Sequence, residues 1–209
     1  MLPKLFVGTA LFLMVPAFAT DPALALKAFR SGDYATAYRE WKPLADKGDS
    51  NAQCNLGILY LKGLGVQKDP SEAFRLFSLS ANQGNTQAEF QLGVMYAKGW
   101  GVTQNFTNAL MWTQKSAEGG DPDGENRLGW LYDEGYGVPK DAKQAVHYYT
   151  LAAAKGNADA AYNLAQAYEK GSGVKKDLAE AEKWYTLAAK QGNTKAQASL
   201  DAMIQTAKK

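Results

Sequence analysis

The sequence predicts an all-α chain, a solenoid of helix-turn-helix repeats of 36 residues, and three observations carry that prediction. The first is a period. Gly48 recurs 36 positions on at Gly84 and again at Gly120, Gly156 and Gly192, with Leu56, Leu92, Leu128, Leu164 and Leu200 in step and Tyr60, Tyr96, Tyr132 and Tyr168 beside them. No insertion breaks the register, and a fixed period of this size marks an array of stacked supersecondary units. The second observation is helix punctuation at two places in every copy. Asp49, Asn85, Asp121, Asn157 and Asn193 fill one column, and Asp69, Asn105, Asp141 and Asp177 fill another. A short side-chain oxygen at such a position accepts the N–H groups that the first turn of a helix leaves free. The third is apolar spacing: Ala52, Leu56, Leu59 and Tyr60 fall three and four residues apart, which is one face of a helix.

The elements follow in chain order. After Met1 and Lys4 comes an apolar run from Leu5 to Val15, then Pro16 and the small-any-small triplet Ala17-Phe18-Ala19. That order of charge, short apolar core and cleavage site predicts a secretory leader over residues 1–19, cut after Ala19, with an apolar stretch short of the roughly 20 residues that span a bilayer. The expected product is periplasmic or secreted. No cysteine follows the apolar run to carry a lipid, and no second run is long enough to insert stably in a membrane.

Residues 20–47 read as an N-terminal cap: a short helix from Pro22 to Arg30, a turn at Ser31-Gly32-Asp33, then the second half of an incomplete unit. Asp33 precedes Asp69 by 36, and Ala37, Trp41 and Ala45 fall on the second-helix columns, with Pro43 predicting a kink near the helix end. Four complete units are expected at 48–83, 84–119, 120–155 and 156–191, and a closing helix over 192–209 that runs through Leu200 and Met203 with Gln205, Lys208 and Lys209 facing water. In the first helix of each unit Gly57, Gly93 and Gly129, with Ala165 in the last copy, lie beside the apolar face. An interior glycine costs a helix up to about 1 kcal/mol, so another helix is expected to approach closely there. Gly63 stops the helix, since glycine accepts positive φ, and the Gly-x-Gly-Val turn leads to Asp69, Pro70 and Glu72, a capping box repeated at Asp141 with Gln144 and Asp177 with Glu180. The expected buried stripes of the second helices are Ala73, Leu76, Phe77 and Ala81, then Ala145, Tyr148, Tyr149 and Ala153, then Ala181, Trp184, Tyr185 and Ala189. No hairpin of this kind hides its apolar face without neighbours.

Composition bounds the class of work. With 46% apolar and 21% charged residues among 209, the chain is globular, and a net charge of +2, or +1 once Lys4 leaves with the leader, gives no basic field for nucleic acid or anionic lipid. Cys54 is the single cysteine, so no disulfide forms within the chain. It reads as a small half-buried helix residue, with pairing to another chain left open.

The run Leu56-Gly57-Ile58-Leu59-Tyr60, Gly63-Leu64-Gly65-Val66, Asp69 and Ala73, closed by an aromatic and Ala-Ala as in Trp184-Tyr185 and Ala188-Ala189, resembles the Sel-one-like repeat family, relatives of tetratricopeptide repeats. The likeness covers nearly all of the chain after the leader. It implies a right-handed α/α superhelical solenoid and a protein-binding scaffold or adaptor, often exported by bacteria, with no reaction of its own. The departures are Asn105 for Asp, Ala165 for Gly, Gly124 for Ala and Thr113 for an aromatic, and the last two predict a looser junction between the second and third copies.

In tetratricopeptide-like arrays the first helices line a concave groove. On this face the sequence carries Cys54, Ile58 and Leu61, then Phe90 and Val94, then Trp130, then Tyr162, with Lys62, Lys98, Arg127 and Asn163 nearby. Water-facing positions carrying large rings suit capture of a peptide or helix, where aromatic side chains supply most of the affinity. The candidate contact set is Cys54, Ile58, Phe90, Val94, Arg127, Trp130 and Tyr162, with Trp130 and Phe90 foremost and with Trp130→Ala expected to weaken capture while leaving unfolding nearly unchanged. The competing reading has these side chains only filling gaps between neighbouring first helices.

Catalytic and metal readings are weaker. Some members of the resembled family carry β-lactam labels, and Ser172-Gly173-Val174-Lys175 fits S-x-x-K, but both residues fall in an inter-helix turn, and no K-T-G follows. His147, the only histidine, lies more than two repeats from Cys54, so neither a metal site nor a Cys-His pair is expected. Asn105-Phe106-Thr107 fits a glycosylation acceptor but coincides with a capping position. The sequence therefore points to an exported scaffold binding an unidentified protein or peptide, with no cofactor and no chemistry. A β-lactam-binding or hydrolysing cell-wall enzyme and a secreted host-interacting factor are the other readings.

Overall fold

Each helix begins where a side-chain oxygen can reach its free amides. Asp49 Oδ1 accepts from the Ala52 N–H at 2.7 Å, Asn85 Oδ1 from Ala88 at 3.0 Å, and Asp69 Oδ1 from both Ser71 and Glu72 at 3.0 Å. The structure, a computed structural model, describes residues 20–207, so the leader expected over 1–19 and the expected water-facing Lys208 and Lys209 lie outside the described residues. Among the described residues there are eleven helices and no strand. They are α1 (Pro22–Arg30), α2 (Tyr34–Asp46), α3 (Ser50–Lys62), α4 (Pro70–Ala81), α5 (Thr86–Lys98), α6 (Phe106–Glu118), α7 (Pro122–Glu134), α8 (Ala142–Ala154), α9 (Ala158–Lys170), α10 (Leu178–Lys190) and α11 (Thr194–Ala207). Consecutive helices pack on one another along the whole chain, which is a solenoid of helical hairpins. Helix α2 runs on through Pro43 to Asp46.

The turn after each first helix is built from two glycines with different tasks. Gly63, Gly99, Gly135 and Gly171 are left-handed helix stops with φ between 70° and 75°. The second glycine of each turn joins one unit to the one before. At Gly101 (φ +67) a Cβ would lie 2.5 Å from the Pro70 carbonyl carbon and closer still to its oxygen, so the turn rests on the first turn of α4. Each turn then closes identically, with Asp69, Asn105 and Asp141 N–H donating to the Tyr60, Tyr96 and Tyr132 carbonyls at 2.9 Å and Asp177 to Tyr168 at 3.0 Å.

The helical glycines mark the expected close approach. A Cβ on Gly57 would sit 2.8 Å from the Phe77 ring, and one on Gly129 would sit 2.8 Å from the Tyr149 ring. In the second copy Thr113 takes the ring's place and its Oγ1 fills the space over Gly93. The buried stripes differ from the expected ones at one edge. Tyr148, Trp184 and Ala189 are half-buried, whereas Ser80, Ala152 and Ala188 are fully covered. In the first complete unit the end of α4 leans onto the start of α3, where Ser80 Oγ donates to the Ser50 carbonyl at 2.7 Å.

A buried polar column runs beside this contact. Gln53 is 4% exposed; it donates to the Ala45 carbonyl at 3.2 Å and accepts from Gln83 at 2.9 Å. Glu125, 36 × 2 residues on and also 4% exposed, pairs with Lys155 at 2.7 Å. Glu89 in between is 7% exposed, and the position that matches Gln83 and Lys155 in its unit is Gly119, which offers no side chain. Burial pushes the Glu89 carboxyl above its ordinary range, with the neighbouring Lys115 opposing that shift. A raised acid contributes stability that is complete below its unfolded pKa and lost as pH rises through its folded pKa. Glu89→Gln is therefore expected to raise the unfolding midpoint near neutral pH and to leave it unchanged at about pH 3, below the ordinary Glu range. Thermal unfolding of both chains at the two pH values checks this; an equal gain at both would remove ionisation as the cause.

Candidate functional site

The first helices crowd together on one side of the array, where α5 touches α7 directly. Between them opens a cleft of about 420 Å³. Phe90 and Val94 of α5 form one wall, Asp123, Asn126, Arg127 and Trp130 of α7 the floor, and Asp159, Tyr162 and Asn163 of α9 with Lys195 of α11 the other wall. A second cleft of about 570 Å³ shares Trp130, Tyr162, Asn163 and Lys195 with the first and continues past Gln166 to Lys140, Lys170 and Ser172. The two form one trough along three units.

Five of the seven residues singled out from sequence, Phe90, Val94, Arg127, Trp130 and Tyr162, thus surround one cleft, and each is half-buried. Ile58 is half-buried on α3, packed against the apolar cluster of Phe77, Leu92 and Met95. Cys54 requires a correction. It is 1% exposed, its Sγ lies 3.7 Å from Gln87 Oε1, and it belongs to the packing between α3 and α5 instead of the contact surface. Burial, with the charge of Asp121 adding to it, pushes the thiol up to about 12, so at neutral pH it is no nucleophile.

The aromatic part of the trough is itself assembled. The Arg127 guanidinium lies 4.3 Å over the Trp130 ring, Tyr136 packs 5.1 Å from the same indole, and Phe106 stacks on Tyr136 at 4.7 Å. Trp130 is therefore partly committed within the fold and offers its remaining edge to the cleft. Burial lowers the Arg127 pKa.

Of the polar groups, Arg127 and Asn163 were read from the sequence and the amide rungs between units were not. The capping asparagines use both ends of their amides. Asn157 accepts from its own helix through Oδ1 and donates through Nδ2 to Asp123 of the preceding unit at 2.7 Å, as Asn193 does to Asp159 at 2.7 Å and Asn85 to Asn51 at 3.0 Å. The signal was available: an acceptor two residues after each cap column lies 34 residues before the next Asn. Where the α9 wall meets the floor, Asn163 donates to Asn126 at 3.0 Å, and along that wall Gln166 donates to the Tyr162 hydroxyl at 3.1 Å.

This arrangement offers apolar edges, amides and carboxylates to a passing chain. Ser172 and Lys175 lie in the turn between α9 and α10, not one turn apart on a helix, so they lack the geometry that the S-x-x-K reaction needs. His147 is exposed, beside Tyr148. Asn105 accepts from the Asn108 N–H at 3.0 Å, so its side chain serves as a cap. Among the described residues no group of three or more His, Cys, Asp and Glu could hold a metal ion, and no helix is long and apolar enough to cross a membrane.

Stacked hairpins with an open trough across their first helices define an α/α-solenoid repeat protein. The chain belongs to the Sel1 repeat family, whose model matches residues 50–85, 86–121, 122–157 and 158–193, the same period with each unit begun two residues later than read above. Among solved structures, it is similar to a Sel1 repeat protein from Oxalobacter formigenes at 35% identity and TM-score 0.80, over 90% of this chain and 78% of that one. It is also similar to c5321, a protective antigen of uropathogenic Escherichia coli with the same repeat fold, at 32% identity and TM-score 0.75 over 89% of this chain. It spans 41% of that antigen's length. An immunity protein of Pseudomonas aeruginosa, Pa5087, matches at 26% identity and TM-score 0.61, over 85% of this chain and 69% of that one. Comparison with curated protein sequences gives no match. Sel1 repeat proteins generally act as protein–protein interaction scaffolds, and the family is generally non-enzymatic.

Proposed function

We propose that the chain is an exported scaffold that holds a protein or peptide partner in the trough across α5, α7 and α9, with Phe90, Val94, Arg127, Trp130 and Tyr162 as the contact set. The observation that carries this reading is the convergence of those side chains on one cleft whose rim is amide and carboxylate. Half-buried rings ringed by polar groups are the composition of an interaction hot spot. Export rests on the residue pattern of positions 1–19, and it agrees with the likeness to a protective antigen. Destination is the periplasm or the medium.

The test uses residues 20–209 as bait against envelope extract, with Val94→Glu as the comparison. A carboxylate at that wall is expected to weaken partner capture about tenfold or more, as hot-spot disruption does, with little change in unfolding because Val94 is already partly open to water. Unchanged capture by the variant would remove this trough from the interaction. Fractionation of the producing cell checks export: the expected species begins at Thr20 and lies outside the cytoplasm, and a cytoplasmic chain retaining Met1 would contradict it.

A further inference from the structure

The buried polar atoms without a hydrogen-bond partner among the described residues fall on two adjoining helices. They are Thr113 Oγ1 and Ser116 Oγ of α6, and Glu125 Oε2 with Arg127 Nε and Nη2 of α7. Such atoms disfavour the closed state, because water would bond them on opening. Three further features loosen the same region: α6 is thinly packed on α5 of its own unit, and the link from α6 to α7 is less tied than its counterparts.

The ring that elsewhere fills the space between paired helices is missing. Phe77 and Tyr149 press on Gly57 and Gly129, whereas α6 supplies only Thr113 against Gly93. The buried apolar residues of α6 are Ala109 and Ala117 alone. Next, the cross-unit rung is absent: Asn85, Asn157 and Asn193 donate through their side chains to the preceding unit, but the Asp121 carboxylate has no N–H to give, and among the described residues no hydrogen bond joins it to Gln87. Finally, the link from α6 to α7 is Gly119-Gly120, where the matching turns are Gln83-Gly84, Lys155-Gly156 and Gln191-Gly192. The Gln83 and Lys155 side chains bond Gln53 and Glu125 across their own units, a strut that Gly119 does not supply to Glu89.

We propose that the α6–α7 junction is a hinge built into the array, about which the block α1–α6 and the block α7–α11 open and close through Gly119-Gly120. Opening hydrates Ser116 Oγ, which faces Gly124 of α7, and breaks no cross-unit amide rung, with the Phe106–Tyr136 stack as the contact that opposes it. The hinge passes through the trough, with Phe90 and Val94 on one side and Arg127, Trp130 and Tyr162 on the other. Its motion would set the width of the cleft. That consequence rests on reading the cleft as a binding surface, and the hinge itself does not.

Hydrogen exchange on the unliganded chain, followed by mass spectrometry, tests it. Amides of α6 and the first turn of α7 are expected to exchange about tenfold or more faster than those of α4 and α8, because exchange reports local opening. The double variant Thr113→Val with Ser116→Ala removes both stranded hydroxyls, and it is expected to slow exchange in α6 about tenfold and raise the unfolding midpoint. Asp121→Asn, which keeps the cap and restores a donor, gives the same readout by another route. Uniform exchange across α4, α6 and α8 in the parent chain would overturn the hinge. So would faster exchange in the double variant, because the hydroxyls would then be bonded in the closed state. Failure of the parent chain to capture a partner, with exchange as expected, would count against the binding reading alone.

Discussion

Gly101→Ala is expected to cost about 3–5 kcal/mol of stability, at the exceptional end of single substitutions, for the addition of one methyl group. Gly101 has φ +67, a conformation that costs an L side chain about 1–2 kcal/mol by itself. Its added Cβ would also fall 2.8 Å from the Ser71 nitrogen and 2.5 Å from the Pro70 carbonyl carbon. Those are backbone atoms in the capped first turn of α4, so nothing flexible can yield, and adjacent units must separate. Gly48→Ala separates the two contributions: φ there is +95 and nothing lies within 4 Å of the new Cβ. Only the conformational cost, about 1–2 kcal/mol, is expected at that site. Urea unfolding of both variants at equal m-value checks the difference. Equal losses would mean that the second turn glycine is not the joint between units.

Phe77→Ala is expected to cost about 3–5 kcal/mol, the range for deleting a fully buried ring. Phe77 is 0% exposed and its ring lies in the hollow that Gly57 leaves, which alanine cannot fill. Trp130→Ala is the informative contrast. The sequence suggested almost no effect on unfolding, but the indole carries Arg127 on it and Tyr136 beside it. Losing one cation–π and one aromatic contact is expected to cost about 1–2 kcal/mol. Urea unfolding orders the two variants, and a Trp130 loss as large as that of Phe77 would class the indole as core.

The array was legible because its determinants are local. A cap oxygen needs only its own helix, and a glycine stop only its own φ, so a period of caps and stops in sequence becomes a period of hairpins in space. The trough was partly legible by subtraction, since residues opposite the apolar face of a first helix had to point elsewhere. Subtraction fails at Cys54. Its column holds Phe90 and Tyr162 in later copies, where large side chains reach the open cleft, while a thiol is short enough to be covered as α3 and α5 converge. The buried column Gln53, Glu89 and Glu125 was illegible for a different reason. Polar residues are mostly at the surface, and the clue to burial lay in partners 30 residues away, Gln83 and Lys155. The looser junction expected from Thr113 and Gly124 was half misread: Gly124 lets α6 come close, since a Cβ there would lie 2.8 Å from Ser116 Cβ, and the polar atoms left without a partner had no sequence signal.

Site-specific photo-crosslinking reads whether the partner lies along the first helices. A photoreactive phenylalanine analogue is placed at Phe90 or Tyr162, in the trough, and at Met111 or His147, exposed on α6 and α8. A covalent adduct with one partner is expected from Phe90 and Tyr162, and none from Met111 or His147. An adduct from Met111 or His147 with none from the trough would contradict that placement.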